Sequence, residues 1–220
     1  MTPQLIVMLT HHDLTVCNAY EVFGQCQFSK AQYWGFKEQP LPTAEMRRIY
    51  AKMKDCGKTT VMEVVAYSKE EGLEGARMAA QCGSDILMGT CFDDEILAFC
   101  QDHNMRYMPF VGQISGRPSV LEGSIDSMVA EARRYIDKGA YGIDLLGYRY
   151  TGNTEMLISE MTNRTEAPIC VAGSIDSYER LDHIKQTQPW AFTIGSAFFE
   201  HRFGSTIAGQ IDAVCDYLNH

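Results

Sequence analysis

Few side chains in this sequence could do acid–base or ionic chemistry in an apolar setting, and most lie at the ends of short apolar runs. Lys37 closes the run Tyr33-Trp34-Gly35-Phe36 and is followed at once by Glu38. Glu63 stands alone among Val61, Met62, Val64 and Val65, and Asp144 alone among Ile143, Leu145 and Leu146. Burying a carboxylate unpaired is costly, so each should meet a basic partner or open onto a polar cavity. Lys37 is the expected partner of Glu63. A lysine so placed can serve as a base, as a Schiff-base nucleophile or as a fixed cation. His11, His12 and Asp13 follow the first apolar run, and His12 offers a general acid or base. No metal site is expected, because His103, His183, His201 and His220 lie on or after helical stretches without ligand spacing. No cofactor is expected either, since the methionines and aromatic stripes read as core filling rather than a cofactor box.

A second kind of chemistry belongs to two small-residue turns. Ala172 is followed by Gly173-Ser174, and Ile194 by Gly195-Ser196, each ahead of a helical stretch. Glycine lets backbone N–H groups approach an anion closely, and a following helix N-terminus favours negative charge there. The expected ligand is a phosphate group. Arg117, stiffened by Pro118, and Arg149, after Gly147-Tyr148, are expected to add charge-assisted hydrogen bonds to it.

These residues need elements to hold them. Strand-like apolar runs occur at Gln4–Leu9, Gln32–Phe36, Thr60–Ala66, Asp85–Met88, Tyr107–Val111, Gly142–Leu146, Ile169–Ala172 and Ala191–Ile194. Amphipathic stretches alternate with them, among them Thr43–Cys56, Lys69–Cys82, Ile125–Lys138, Ser177–Thr187 and a closing Thr206–Leu218. Thr43 and Ser68 open helices, Ser68 with Glu71 at capping-box spacing, and Gly57, Gly83 and Gly139 end them. Gly112 to Gly123 reads as a long loop after the fifth strand. Repeated β/α units without a dinucleotide fingerprint predict a closed (β/α)8 TIM barrel spanning residues 1–220 as one domain. In that fold the site lies at the C-terminal ends of the strands, where the residues above fall.

The segment Ile143-Asp144-Leu145-Leu146-Gly147-Tyr148 with Thr151-Gly152, and the segment Pro189-Trp190-Ala191-Phe192-Thr193-Ile194-Gly195-Ser196-Ala197, carry a resemblance. They resemble the sixth and eighth strands of N-acetylmannosamine-6-phosphate 2-epimerases, within the ribulose-phosphate-binding barrel superfamily. The resemblance covers mainly the last third of the chain and implies the phosphate site. That family carries a lysine on strand three and a glutamate in strand seven, where this chain has Glu63 and Ala172-Gly173-Ser174. The expected reaction is therefore an isomerisation or epimerisation of a phosphorylated sugar or hydroxy-carbonyl compound with rearranged acid–base groups, Glu63 and Lys37 foremost. Two alternatives stand beside it: a Schiff-base aldolase or lyase using Lys37, and a non-catalytic phosphate-ligand sensor.

Composition narrows the classes further. The chain of 220 residues is 45% hydrophobic and 21% charged, which argues against disorder. Its apolar runs are much shorter than the roughly 20 residues of a membrane span. A net charge of −9 disfavours nucleic acid and anionic membranes as partners. The expected partner is a small phosphorylated substrate, and the sequence is compatible with a homo-oligomer. Eight cysteines occur singly, with no CxxC pair, which suits reduced thiols and a cytoplasmic location, as does an N-terminus without a signal-peptide pattern.

Overall fold

The computed structural model describes residues 2–219. Eight barrel strands follow one another: β1 (Gln4–Met8), β2 (Tyr33–Lys37), β3 (Thr59–Val64), β4 (Ile86–Gly89), β5 (Arg106–Met108), β6 (Ile143–Leu145), β7 (Ile169–Val171) and β8 (Ala191–Ile194). All are parallel, and β8 pairs with β1, so the sheet runs β6-β7-β8-β1-β2-β3-β4-β5. The ring closes between β5 and β6 through two backbone bonds, Tyr141 N–H to the Tyr107 carbonyl at 2.9 Å and Asp144 N–H to the Pro109 carbonyl at 3.0 Å. Pro109 has no N–H to donate back to the Tyr141 carbonyl, the mate of the first bond, so this seam lacks a ladder bond. The architecture is the expected (β/α)8 barrel.

The strands read as continuous apolar runs because both faces are buried. Alternate residues point inward: Ile6, Met8, Val61, Ile86, Met88, Met108, Cys170 and Ala191 form one cluster inside the barrel. Tyr33, Tyr141 and Trp190 pack against it at the N-terminal strand ends, Trp190 standing edge-on to Tyr33 at 5.4 Å and to Tyr141 at 5.8 Å. These aromatics close the base. The opposite faces, including Val7, Trp34, Phe36, Met62, Val64, Val171 and Phe192, form the shell beneath the helices. The same alternation turns Lys37, Glu63 and Asp144 inward at the open end.

The helices are α1 (Ala19–Cys26), α2 (Thr43–Asp55), α3 (Lys69–Cys82), α4 (Asp94–Asp102), α5 (Ile125–Lys138), α6 (Thr154–Arg164), α7 (Tyr178–Thr187), α8 (Ser196–Phe199) and α9 (Ile207–Asn219). The Ser68 hydroxyl accepts from the Glu71 N–H at 3.3 Å, and α3 and α5 end on left-handed Gly83 and Gly139. Thr43 does not cap α2: it is the first helical residue, preceded by Pro42, and no side chain caps that end. No helix among the described residues is long and apolar enough to cross a membrane.

Two short antiparallel hairpins stand outside the barrel sheet, one of them within the stretch expected to be a long loop. Gly112–Gly123 contains Gln113–Ser115 paired with Val120–Glu122. After β1, Thr10–His11 pairs with Leu14–Thr15 across the two-residue turn His12-Asp13. Both turn residues have positive φ, +49° and +68°, as a type I′ hairpin requires. Asn and Gly are the usual occupants of such turns, and a histidine there carries backbone strain.

Candidate functional site

A cleft of about 360 Å³ opens at the C-terminal mouth of the barrel, a size suited to a small metabolite. Its lining draws on the ends of β1, β2, β3, β7 and β8, including His12, Asp13, Lys37, Glu63, Arg149, Gly173, Ser174, Gly195 and Ser196. Most of the residues singled out in the sequence therefore share one cavity. Asp144 and Arg117 do not border it.

Lys37 and Glu63 sit opposite each other in the β2–β3 register, and Lys37 Nζ lies 3.4 Å from Glu63 Oε1. The same ammonium donates to Asp13 Oδ1 at 2.5 Å, so the hairpin turn clamps the lysine from above. Side-chain exposures of 11% for Lys37 and 8% for Glu63 separate this pair from ordinary surface salt bridges, which contribute little. Burial pulls the Lys37 ammonium toward neutrality, but the Glu63 charge and the Asp13 hydrogen bond outweigh it. The net effect holds Lys37 above the usual lysine range. Burial raises the Glu63 carboxyl above its ordinary value, with Lys37 pulling the other way and Asp13 and Glu38 adding to the rise.

Asp144 lies inside the barrel beneath the cleft, with no exposed surface and no hydrogen-bond partner on either carboxyl oxygen. Burial, reinforced by the Glu63 charge, raises its pKa far above the carboxylate range. Lys37 opposes this, as does the nearby Gly89 N–H, which completes no hydrogen bond. Burial without a partner favours the protonated form of such a carboxyl. The sequence placed Asp144 among the reacting groups, yet it contacts the site only through the field it shares with Glu63 and Lys37.

Arg117, expected at the phosphate, is held elsewhere. Its Nη2 donates to Glu38 Oε1 at 2.8 Å and to the Val65 carbonyl at 2.7 Å. This ties the Gln113–Glu122 hairpin to the end of β3 through one guanidinium nitrogen. Its neighbours Pro118 and Ser119 reach the cleft instead.

Across the mouth, Gly173 takes φ +88° and Ser174 φ +53°. A Cβ on Gly173 would meet Arg149 Cγ at 2.7 Å, so the missing side chain lets Arg149 lie against the turn. The Gly173 and Ser174 N–H groups have no backbone acceptor among the described residues. Helix α7 begins only at Tyr178 and is capped by Ser177, whose hydroxyl accepts from the Arg180 N–H at 3.4 Å. An anion at this turn would thus meet loop amides and Arg149 rather than a helix end. Arg180 bonds the Ser174 carbonyl and Asp176, which fixes the turn from outside. Beside it, the Ser196 hydroxyl accepts from the His12 N–H at 3.1 Å and joins the two halves of the mouth.

One neighbouring group had no visible signal in the sequence. Glu200, just after α8, also lines the cleft and stands near His11 and His12.

No protein-family model matches the chain, and the comparison with curated proteins finds no match. Solved structures share the fold at low identity. Orotidine 5′-phosphate decarboxylase from Pyrococcus horikoshii OT3 aligns with a TM-score of 0.74 at 13% identity, covering 99% of this chain and 100% of that one. N-(5′-phosphoribosyl)anthranilate isomerase from Pyrococcus furiosus aligns at 0.68 and 10% identity, over 99% and 98%. N-acetylmannosamine-6-phosphate 2-epimerase from Clostridium perfringens aligns at 0.63 and 10% identity, over 88% and 86%. Identities this low establish the barrel alone.

Proposed function

We propose that this protein is an enzyme that moves a proton beside the carbonyl of a small phosphorylated sugar or hydroxy-carbonyl compound. The observation that carries the reading is a buried Lys37–Glu63 pair at one side of a cleft whose other side is the Gly173-Ser174 and Gly195-Ser196 turns with Arg149. The turns and Arg149 hold the phosphate. Glu63, its pKa raised by burial, takes the proton from the carbon next to the carbonyl. The electrons move to the carbonyl oxygen, where the Lys37 ammonium stabilises the developing charge. Returning the proton to the former carbonyl carbon, with the adjacent hydroxyl proton passing to that carbon's oxygen, gives isomerisation; returning it to the other face of the same carbon, with the carbonyl re-formed, gives epimerisation. Similarity in fold to structures named as a decarboxylase, an isomerase and an epimerase of phosphorylated compounds supports the substrate class.

The Schiff-base alternative requires a neutral amine, and two carboxylates hold Lys37 charged. The test uses a panel of phosphosugars in deuterium oxide. Solvent deuterium should enter beside the carbonyl with the native protein and drop at least tenfold with Glu63→Gln, while borohydride should trap no adduct on Lys37. Trapping of Lys37, found by peptide mass spectrometry, would replace this mechanism with the lyase one. Binding without exchange across the panel would remove the catalytic reading in favour of a sensor.

A further inference from the structure

The hairpin after β1 brings together more than the turn contacts of His12 and Asp13. One ring nitrogen from His11, one from His12 and a carboxylate oxygen of Glu200 all lie within 4.8 Å of one another. They come from opposite ends of the chain, and the β8–β1 pairing with α8 packed on the hairpin makes them neighbours. The His11 ring is fixed on both sides, stacked on His12 with centroids 3.8 Å apart and on Phe199 at 5.7 Å. Its Nε2 is wholly buried and has no hydrogen-bond partner among the described residues. Buried ring nitrogens are rarely left so, because the lost hydration is not returned. His12 turns its backbone, through the N–H bond to Ser196, toward protein. Glu200 has one exposed contact, Arg202 Nε at 3.1 Å, of the kind that yields readily to a stronger ligand.

We propose that His11, His12 and Glu200 form a three-donor site for a divalent transition-metal ion of the zinc type, with its open coordination position turned to the cleft. Two imidazoles and one carboxylate are a donor set such ions accept while keeping a position for water or substrate. Tetrahedral donors about 2.0–2.1 Å from the ion stand roughly 3.3 Å apart, so binding requires the exposed His12 and Glu200 side chains to turn toward the ion, His12 leaving its stack on His11. His12 and Glu200 both border the cleft, which directs the open position inward.

The test is titration of the metal-free protein with cobalt(II) alone. One equivalent should bind and produce the visible absorption of a four- or five-coordinate site, and zinc(II) should displace it. His12→Gln and Glu200→Gln, both exposed positions, should each weaken cobalt binding at least tenfold while far-UV circular dichroism stays unchanged. Absence of a saturable spectrum, or equal affinity in both folded variants, would overturn the site. No phosphorylated compound enters this titration, so its failure would leave the phosphate reading standing, and failure of that reading would leave this result intact.

Discussion

Among single residues, Asp144 exerts the clearest measurable influence. Its carboxyl is buried, lacks hydrogen bonds and has its pKa well above that of an unfolded chain. Between those two values the native state keeps a proton that the unfolded state has released. Stability from this group is therefore greatest in acid and falls as pH rises past about 4, continuing to the native pKa. Asp144→Asn keeps the shape of the neutral acid and cannot ionise. Urea denaturation should show the variant gaining on the native protein between pH 4 and pH 8, by on the order of 1 kcal/mol or more. A difference independent of pH would mean that Asp144 is ionised and paired in the folded protein. Glu63 shifts in the same direction, whereas Lys37, raised above its unfolded value, loses its contribution only as pH climbs through its native pKa.

At the level of elements, β3 and α3 meet at Gly75. Replacing a helical glycine with alanine ordinarily stabilises by roughly 0.5–1 kcal/mol. Here a Cβ would stand 2.3 Å from Val64 Cγ1, on the strand that carries Glu63. Gly75→Ala should destabilise by about 1–3 kcal/mol in chemical denaturation, the overpacking range, and a stabilised variant would show that the two elements separate easily. All eight barrel strands were legible because burial on both faces makes each a solid apolar run. Lys37 and Glu63 were legible as partners because charges inside such runs need each other. The hairpins escaped notice: Thr10–Thr15 and Gln113–Glu122 are too short and polar for periodicity to register. The Arg117–Glu38 contact was not legible, because nothing local announces a partner so far earlier in the chain. Glu200 was invisible for the same reason, its neighbours His11 and His12 being supplied by the opposite end of the chain.

Taken as a whole, the barrel is thin where β5 meets β6. Between β2 and β3 five residue pairs are in register, whereas β5 and β6 share only the Tyr141 and Asp144 N–H bonds. Local openings follow the thinnest hydrogen-bonded region. Hydrogen exchange should therefore release the Tyr141 and Asp144 amides well before those of Phe36 and Met62. Equal protection would show that the inner packing around Met108 and Cys170 holds the seam as firmly as a full ladder.

The pairing of β8 with β1 has a consequence for how the protein comes into being. Synthesis proceeds from β1 onward, so Lys37 and Glu63 leave the ribosome early and can pair as soon as β2 and β3 dock. The Gly195-Ser196 turn and Glu200 emerge more than a hundred residues later. Until β8 slots beside β1 there is no cleft, only an open rim with Lys37 and its acids exposed to water. A nascent chain thus carries its ion pair uncovered for most of translation, and the cleft itself forms only when the ring has closed.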